Sequence, residues 1–216
     1  MTLKLRIVRA KDTATKEDLQ VVLNLIEDAR KWLATMGTDQ WAEPYPDADG
    51  KLIRVQEGIE RGETWIVWDG EVAVATITIR TERNKVVWSE YTCGCDLSEP
   101  AVYVHQLITA RAYAGVRLGA ELIDWAGLRG SRSYGARWVR VDVWTSNLPL
   151  HKYYMKAGFD SCGTYEDDPR YRSGALFQKP VRASELQNLH IPQFSGSCAE
   201  FVLPDKRPAG AAHPVD

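Results

Sequence analysis

Apolar and polar positions alternate along this chain in two distinct periods, and the period sorts most of it into elements. Leu5 to Val8 predicts a short first strand. From Lys16 to Thr35, Leu19, Val22, Ile26, Ala29 and Leu33 recur on one face, which predicts a helix capped by Thr15 and Asp18 and ended by Gly37. Residues 37–46 carry glycine and two prolines and read as a loop, followed by a shorter helix over about 50–61. Thr64 to Trp68 and Val72 to Arg80 predict two strands joined by the hairpin pair Asp69-Gly70, with Val86 to Trp88 as an irregular edge. Val102 to Ile108 is an apolar run of buried-strand length. Gly115 and Gly119 then bracket the start of an amphipathic helix carrying Leu118, Leu122, Ile123 and Ala126, and residues 129–135 read as a polar connector. Val139, Val141 and Val143 alternate with Arg140, Asp142 and Trp144 as in a strand. Pro149 opens a short helix that Gly158 ends. Gly163 to Tyr165 and Leu176 to Lys179 predict closing strands. The order implies a mixed α/β sheet with helices on both faces.

Composition narrows the setting. A chain of 216 residues is long enough for one sizeable core. The 27 Lys+Arg against 29 Asp+Glu argue against a nucleic-acid partner or a polybasic membrane contact. No apolar run is long enough to span a membrane, and no basic-then-apolar segment opens the chain, so a cytoplasmic protein is expected. Four cysteines, at 93, 95, 162 and 198, are expected as free thiols. Cys93 and Cys95 stand too close for a standard zinc pair and the four histidines lack ligand spacing, so no metal site is expected.

The chemistry concentrates between Val102 and Ala126. A strand feeding a glycine-rich helix start presents bare N–H groups and a positive dipole end, which suits an anion. The turn lacks the Lys-Ser/Thr of a Walker loop and the third glycine of a dinucleotide fingerprint. It resembles the cofactor motif of the GNAT family of N-acetyltransferases, which reads Arg/Gln-x-x-Gly-x-Gly/Ala after an apolar strand. Ala114 stands where the family usually has Arg or Gln, Arg117 at the first motif glycine, and Gly119 at the second. The stretch from Trp138 to Phe159 matches further: a strand, Asn147, a short helix bearing Tyr154, then Gly158-Phe159. The resemblance covers roughly residues 4–180 and divides the chain into an N-acetyltransferase domain over 1–180 and a C-terminal extension over 181–216. Within that extension, Ala183 to Leu189 suits a helical turn or two, Ile191 to Leu203 carries apolar residues that can pack on the domain, and the last part is expected to be disordered.

The resemblance implies the acyl-CoA N-acyltransferase fold, a mostly antiparallel sheet whose two central parallel strands splay apart around the pantetheine arm. It implies acetyl-CoA as co-substrate and direct attack by a primary amine, here of a small molecule. Alternatives are a non-catalytic acyl-CoA-binding sensor or scaffold, and an enzyme acting on protein or peptide amines. Gly115, Val116, Arg117, Leu118, Gly119 and Ala120 would hold the pyrophosphate, Leu107 and Thr109 the pantetheine, and Asn147 the coenzyme arm. Tyr154 would be the general acid, with Tyr153 pointing about a hundred degrees away on the helix. His105 is the candidate base, since histidine titrates near neutrality and serotonin-acetylating members place a catalytic histidine at that strand position; Glu90, Asp96 and Glu99 are alternatives. Trp41 and Tyr45, with Trp32, would wall an acceptor pocket for an apolar or cationic amine. A homodimer is compatible with the sequence.

Overall fold

The structure is a computed structural model and describes residues 2–10, 16–181 and 196–206. The elements run β1 (Thr2–Arg9), α1 (Lys16–Thr35), α2 (Ala48–Glu60), β2 (Thr64–Asp69), β3 (Val72–Arg80), β4 (Ala101–Thr109), α3 (Leu118–Tyr134), β5 (Trp138–Val143), α4 (Leu148–Lys156), β6 (Asp160–Thr164), β7 (Ala175–Pro180) and β8 (Cys198–Pro204). Eight strands form one sheet in the order β6-β7-β5-β4-β3-β2-β1-β8. Only β4 and β5 are parallel neighbours; the other pairs are antiparallel. This is the mixed sheet that the sequence predicts.

Both faces of the sheet are covered. α3 lays Leu118, Leu122, Ile123 and Ala126 against Val102, Val104, Val139 and Val141. On the opposite face Val22, Leu25 and Ile26 of α1 meet Val55 of α2 and Ile66 and Ile108 of the sheet. A third cluster gathers Val87, Trp88 and Cys93 from the loop before β4 around Tyr103, Tyr165 and Leu176.

Four expectations change. The polar connector over 129–135 is helix as far as Tyr134, because glycine there lets α3 sit close to the sheet. A Cβ on Gly127 would meet Val139 Cγ2 at 2.8 Å, and one on Gly130 would collide with Val102 Cγ1. That fit outweighs the roughly 1 kcal/mol that a mid-helix glycine costs. Val86 to Trp88 forms no strand; Val87 and Trp88 bury into the third cluster, Val86 is exposed, and Cys93 bridges to Gly163. Residues 198–204, expected to lie outside the domain, form its edge strand: Ala199, Phe201 and Leu203 pair with Ile7, Leu5 and Leu3, and Phe201 and Leu203 are buried. Cys93 and Cys95 are joined in a disulfide, leaving Cys162 and Cys198 as the free thiols. The Thr15 cap and the helical turns over 183–189 lie outside the described residues, as does all of the tail expected to be disordered, 204–216, beyond residue 206; Pro204 ends β8.

Candidate active site

β4 and β5 pair only at Ala101–Trp138, Val102–Val139 and Tyr103–Arg140, then part. A bulge in β4 accompanies the parting. Between His105, opposite Thr78, and Ile108, opposite Thr76, β4 holds two residues against one in β3. Gln106 absorbs the extra residue with φ 48° and takes a 3.3 Å hydrogen bond from Thr78 Oγ1. One inserted residue reverses the alternation of faces. Val102 and Val104 face α3, yet Ile108, at the same parity, joins the α1–α2 cluster, and Leu107 packs toward α3. β4 therefore keeps an unpaired edge from Val104 onward, inside the sheet.

At the end of that edge, a 3-10 turn over Arg111–Tyr113 leads into α3. Gly115 (φ 87°) and Arg117 (φ 61°) both take the left-handed conformation. Arg117 thus adopts the backbone shape of the motif glycine it replaces, at a cost of roughly 1–2 kcal/mol. No side chain caps the start of α3, and Glu121 N is the helical amide that reaches Arg117 O. The first amides of the helix are left for a ligand. The groove beside them has a volume of about 540 Å³ and is lined by Leu107, Thr109, Gly115, Arg117, Gly119 and Tyr153.

A second cavity of about 490 Å³ opens on the other side of Leu107 and Tyr154. His105 stands in it, its Nδ1 3.6 Å from Asp142 Oδ1 of β5. Tyr171 donates a 2.7 Å hydrogen bond to the other oxygen of Asp142. Burial lowers the pKa of His105 below its usual 6.5, and the Asp142 charge opposes that shift without cancelling it, so the imidazole is neutral at pH 7. Glu63 is paired with Arg80 at 3.1 Å. Leu107, Tyr154, Gln40 and Trp41 line both cavities. Tyr154 is 8 % exposed and packs edge-on to Phe159 and stacked on Phe177. Burial raises its phenol well above 10, so the hydroxyl stays protonated.

The structure brings together most of the residues expected in the site. Leu107, Thr109, Gly115, Arg117, Leu118 and Gly119 line the groove, while Val116 turns its side chain into the core and Ala120 lies in the first turn of α3. Asn147 caps α4, its Oδ1 accepting from Leu150 N at 3.0 Å, and its Nδ2 donates to Gln40 Oε1 at 2.6 Å; it lines neither cavity. Tyr153 belongs to the groove: a Cβ on Gly119 would lie 3.2 Å from its hydroxyl. The alternative bases lie elsewhere, Glu99 bound to Arg137 and Trp138, Asp96 to Ser98, and Glu90 outside the acceptor pocket. Asp142 and Tyr171 were missed. The one signal for Asp142 was a carboxylate in a strand covered on both faces.

A sheet that opens between two parallel strands, with an uncapped helix start at the mouth of the gap, defines an acyl-CoA N-acyltransferase fold. The chain belongs to the Acetyltransferase (GNAT) family, which matches residues 26–159, and it is an N-acetyltransferase. It is 26 % identical over 170 residues to YesJ of Bacillus subtilis (strain 168), an uncharacterized N-acetyltransferase, spanning 79 % of this chain and 89 % of YesJ. A GNAT-family acetyltransferase from Streptococcus agalactiae shares the fold with a TM-score of 0.61 at 19 % identity, over 82 % of this chain and 96 % of that one. The PaiA N-acetyltransferase of Thermoplasma acidophilum, solved in complex with coenzyme A, does so with a TM-score of 0.57 at 15 % identity, over 82 % and 98 %. The family uses acetyl-CoA.

Proposed function

We propose that this N-acetyltransferase moves the acetyl group of acetyl-CoA onto the primary amine of a small molecule by direct attack on the thioester. The observation that carries the reading is the position of Tyr154, whose side chain lines both cavities while His105 stands in the second. The groove suits coenzyme A on three counts: bare helix amides for the pyrophosphate, an unpaired β4 edge for the amide-bearing arm, and two left-handed residues that let the backbone approach.

Acetyl-CoA supplies an activated acyl group and a thiolate leaving group. The amides of Gly115 to Ala120, with the Arg117 charge, hold the pyrophosphate, and Leu107 and Thr109 offer backbone groups to the pantetheine. Neutral His105 accepts the proton of the attacking amine, directly or through a water, and Asp142 stabilises the imidazolium that results. Tyr154 donates its hydroxyl proton to the departing sulfur. A pocket of about 490 Å³ is the size of a small-molecule site, and Trp41 and Tyr45 form its wall.

The test is thiol release from acetyl-CoA in the presence of a panel of primary amines, beside calorimetry with coenzyme A. The account expects binding and amine-dependent release. Binding without release on any amine contradicts it and leaves an acyl-CoA-binding sensor.

A further inference from the structure

The acceptor pocket contains a cation that none of its own carboxylates uses. Glu63 is committed to Arg80, Asp142 accepts from Tyr171 and faces His105, and Glu43 and Glu82, which also line the pocket, form no ion pair with Arg54 among the described residues. Arg54 of α2 lines the same pocket, half-buried, and among the described residues it donates no hydrogen bond and pairs with no carboxylate. What holds it is an aromatic face: its Cζ lies 5.4 Å from the centre of the Tyr45 ring. That ring is itself fixed, because the Tyr45 hydroxyl donates to Asp168 at 3.0 Å and the ring edge meets Tyr171 at 5.2 Å between centres. A guanidinium held over a fixed ring, with its donor fork unspent, is a receptor for a planar or tetrahedral oxyanion. Lys51 and Arg83 line the same pocket and add to its positive potential.

Two of the three aromatics expected to receive a cationic amine are already occupied by the protein's own arginines, Tyr45 by Arg54 and Trp32 by Arg111 at 4.1 Å; among the described residues Trp41 carries no such cation. The six lysines and arginines that line the pocket outnumber its four carboxylates, so its field disfavours a second positive charge on the acceptor. A negative one would meet an unmet guanidinium, with the Asp142–His105 pair left for the amine.

We propose that the acceptor is an amine that also carries an oxyanion, a carboxylate or a phosphate, bound by Arg54 while its amine faces His105. This rests on the acetyl-transfer reading above. His105 then takes the proton that the attacking amine gives up, and the oxyanion end sets which amine is seated there.

The test is kcat/KM on matched pairs: a set of L-amino acids against their carboxamides, O-phosphoethanolamine against ethanolamine, and 1,4-diaminobutane as the polycation. Wild type should prefer the anionic member of at least one pair by at least roughly tenfold, and which pair responds separates carboxylate from phosphate. Arg54→Gln should raise KM for that anionic acceptor roughly 10- to 100-fold, the worth of a charge-assisted hydrogen bond, and leave its neutral partner's KM alone. Arg54→Lys, keeping the charge without the fork, should fall between. Equal use of both members by wild type, preference for the diamine, or an Arg54→Gln loss that is the same for anionic and neutral amines overturns the proposal while acetyl transfer stands. Absence of turnover on every acceptor, with coenzyme A still bound, overturns the acetyl-transfer reading and this proposal with it.

Discussion

The two cavities that meet at Tyr154 are built from different materials. The groove is a backbone device: an unpaired strand edge, two left-handed residues and an uncapped helix start, drawn from one stretch of about 17 residues between Leu107 and Ile123. The acceptor pocket is a side-chain device. Tyr45, Arg54, Glu63, His105, Asp142 and Tyr171 come from six separate segments, held by side-chain ion pairs and hydrogen bonds and, for Arg54, by the Tyr45 ring, rather than by local geometry. A backbone site tolerates substitutions that keep its shape, as Arg117 at a glycine position illustrates. A side-chain site is sensitive to single atoms.

Four substitutions sharpen that contrast. The largest effect belongs to His105→Gln in the acceptor pocket. Loss of a general base should lower kcat roughly 10²- to 10⁴-fold at neutral pH, with coenzyme A affinity unchanged. Because burial holds the wild-type imidazole below 6.5, activity should rise through a pKa under 6.5 and need no further deprotonation of His105 above it. The variant should lose that rise and recover in part at high pH, where the free amine is abundant. A retained acid limb in the pH–rate profile would assign the base elsewhere.

Gly115→Asp tests the groove. It sets a charged side chain at a φ of 87° against the expected pyrophosphate, and coenzyme A affinity should fall roughly 10- to 100-fold by calorimetry. An unchanged Kd in a folded variant would remove the turn from the cofactor site.

Asp142→Asn should be milder, since Asp142 acts through His105. Removing its charge takes away the influence that raises the His105 pKa, so the acid limb should move to lower pH, and a weaker base should cost roughly three- to tenfold in kcat. A loss of kcat with the limb unmoved would mean that Asp142 only supports the fold.

Tyr153→Phe should give the smallest change. The hydroxyl packs beside Gly119 at the groove, so coenzyme A affinity should shift by about twofold or less and the chemical step should be untouched. A fall in kcat matching that of Tyr154→Phe would erase the distinction between the two tyrosines.

The same contrast explains what the sequence made legible. Strand and helix periods recovered β1 to β5, β7 and α1 to α4 because each is a local pattern, while β6 was expected at 163–165 and lies at Asp160–Thr164; the groove followed because strand, glycines and helix are contiguous. β8 was not recognised. Its alternation, Ala199, Phe201 and Leu203, is present, but its partner β1 lies almost two hundred residues away and nothing local announces the pairing. The helical run from Arg129 to Tyr134 was hidden by glycines whose purpose, contact with Val102 and Val139, is visible only across the sheet. In the acceptor pocket His105 could be proposed from residue type and position. Asp142, Tyr171 and Arg54 could not, since their roles exist only once β5, the β6–β7 turn and α2 converge. Asn147 adds a contact that spacing could not show: its amide ties the start of α4 to Gln40 of the loop after α1.

The central claim is that the two cavities share Tyr154 and that its hydroxyl donates the proton the departing sulfur needs. Tyr154→Phe removes that one atom. The decisive measurement is kcat for thiol release, taken beside the coenzyme A dissociation constant of the same folded variant. The account predicts that kcat falls roughly 10- to 1000-fold while coenzyme A affinity stays within twofold of wild type. An unchanged kcat, or a loss explained wholly by weaker coenzyme A binding, would contradict it.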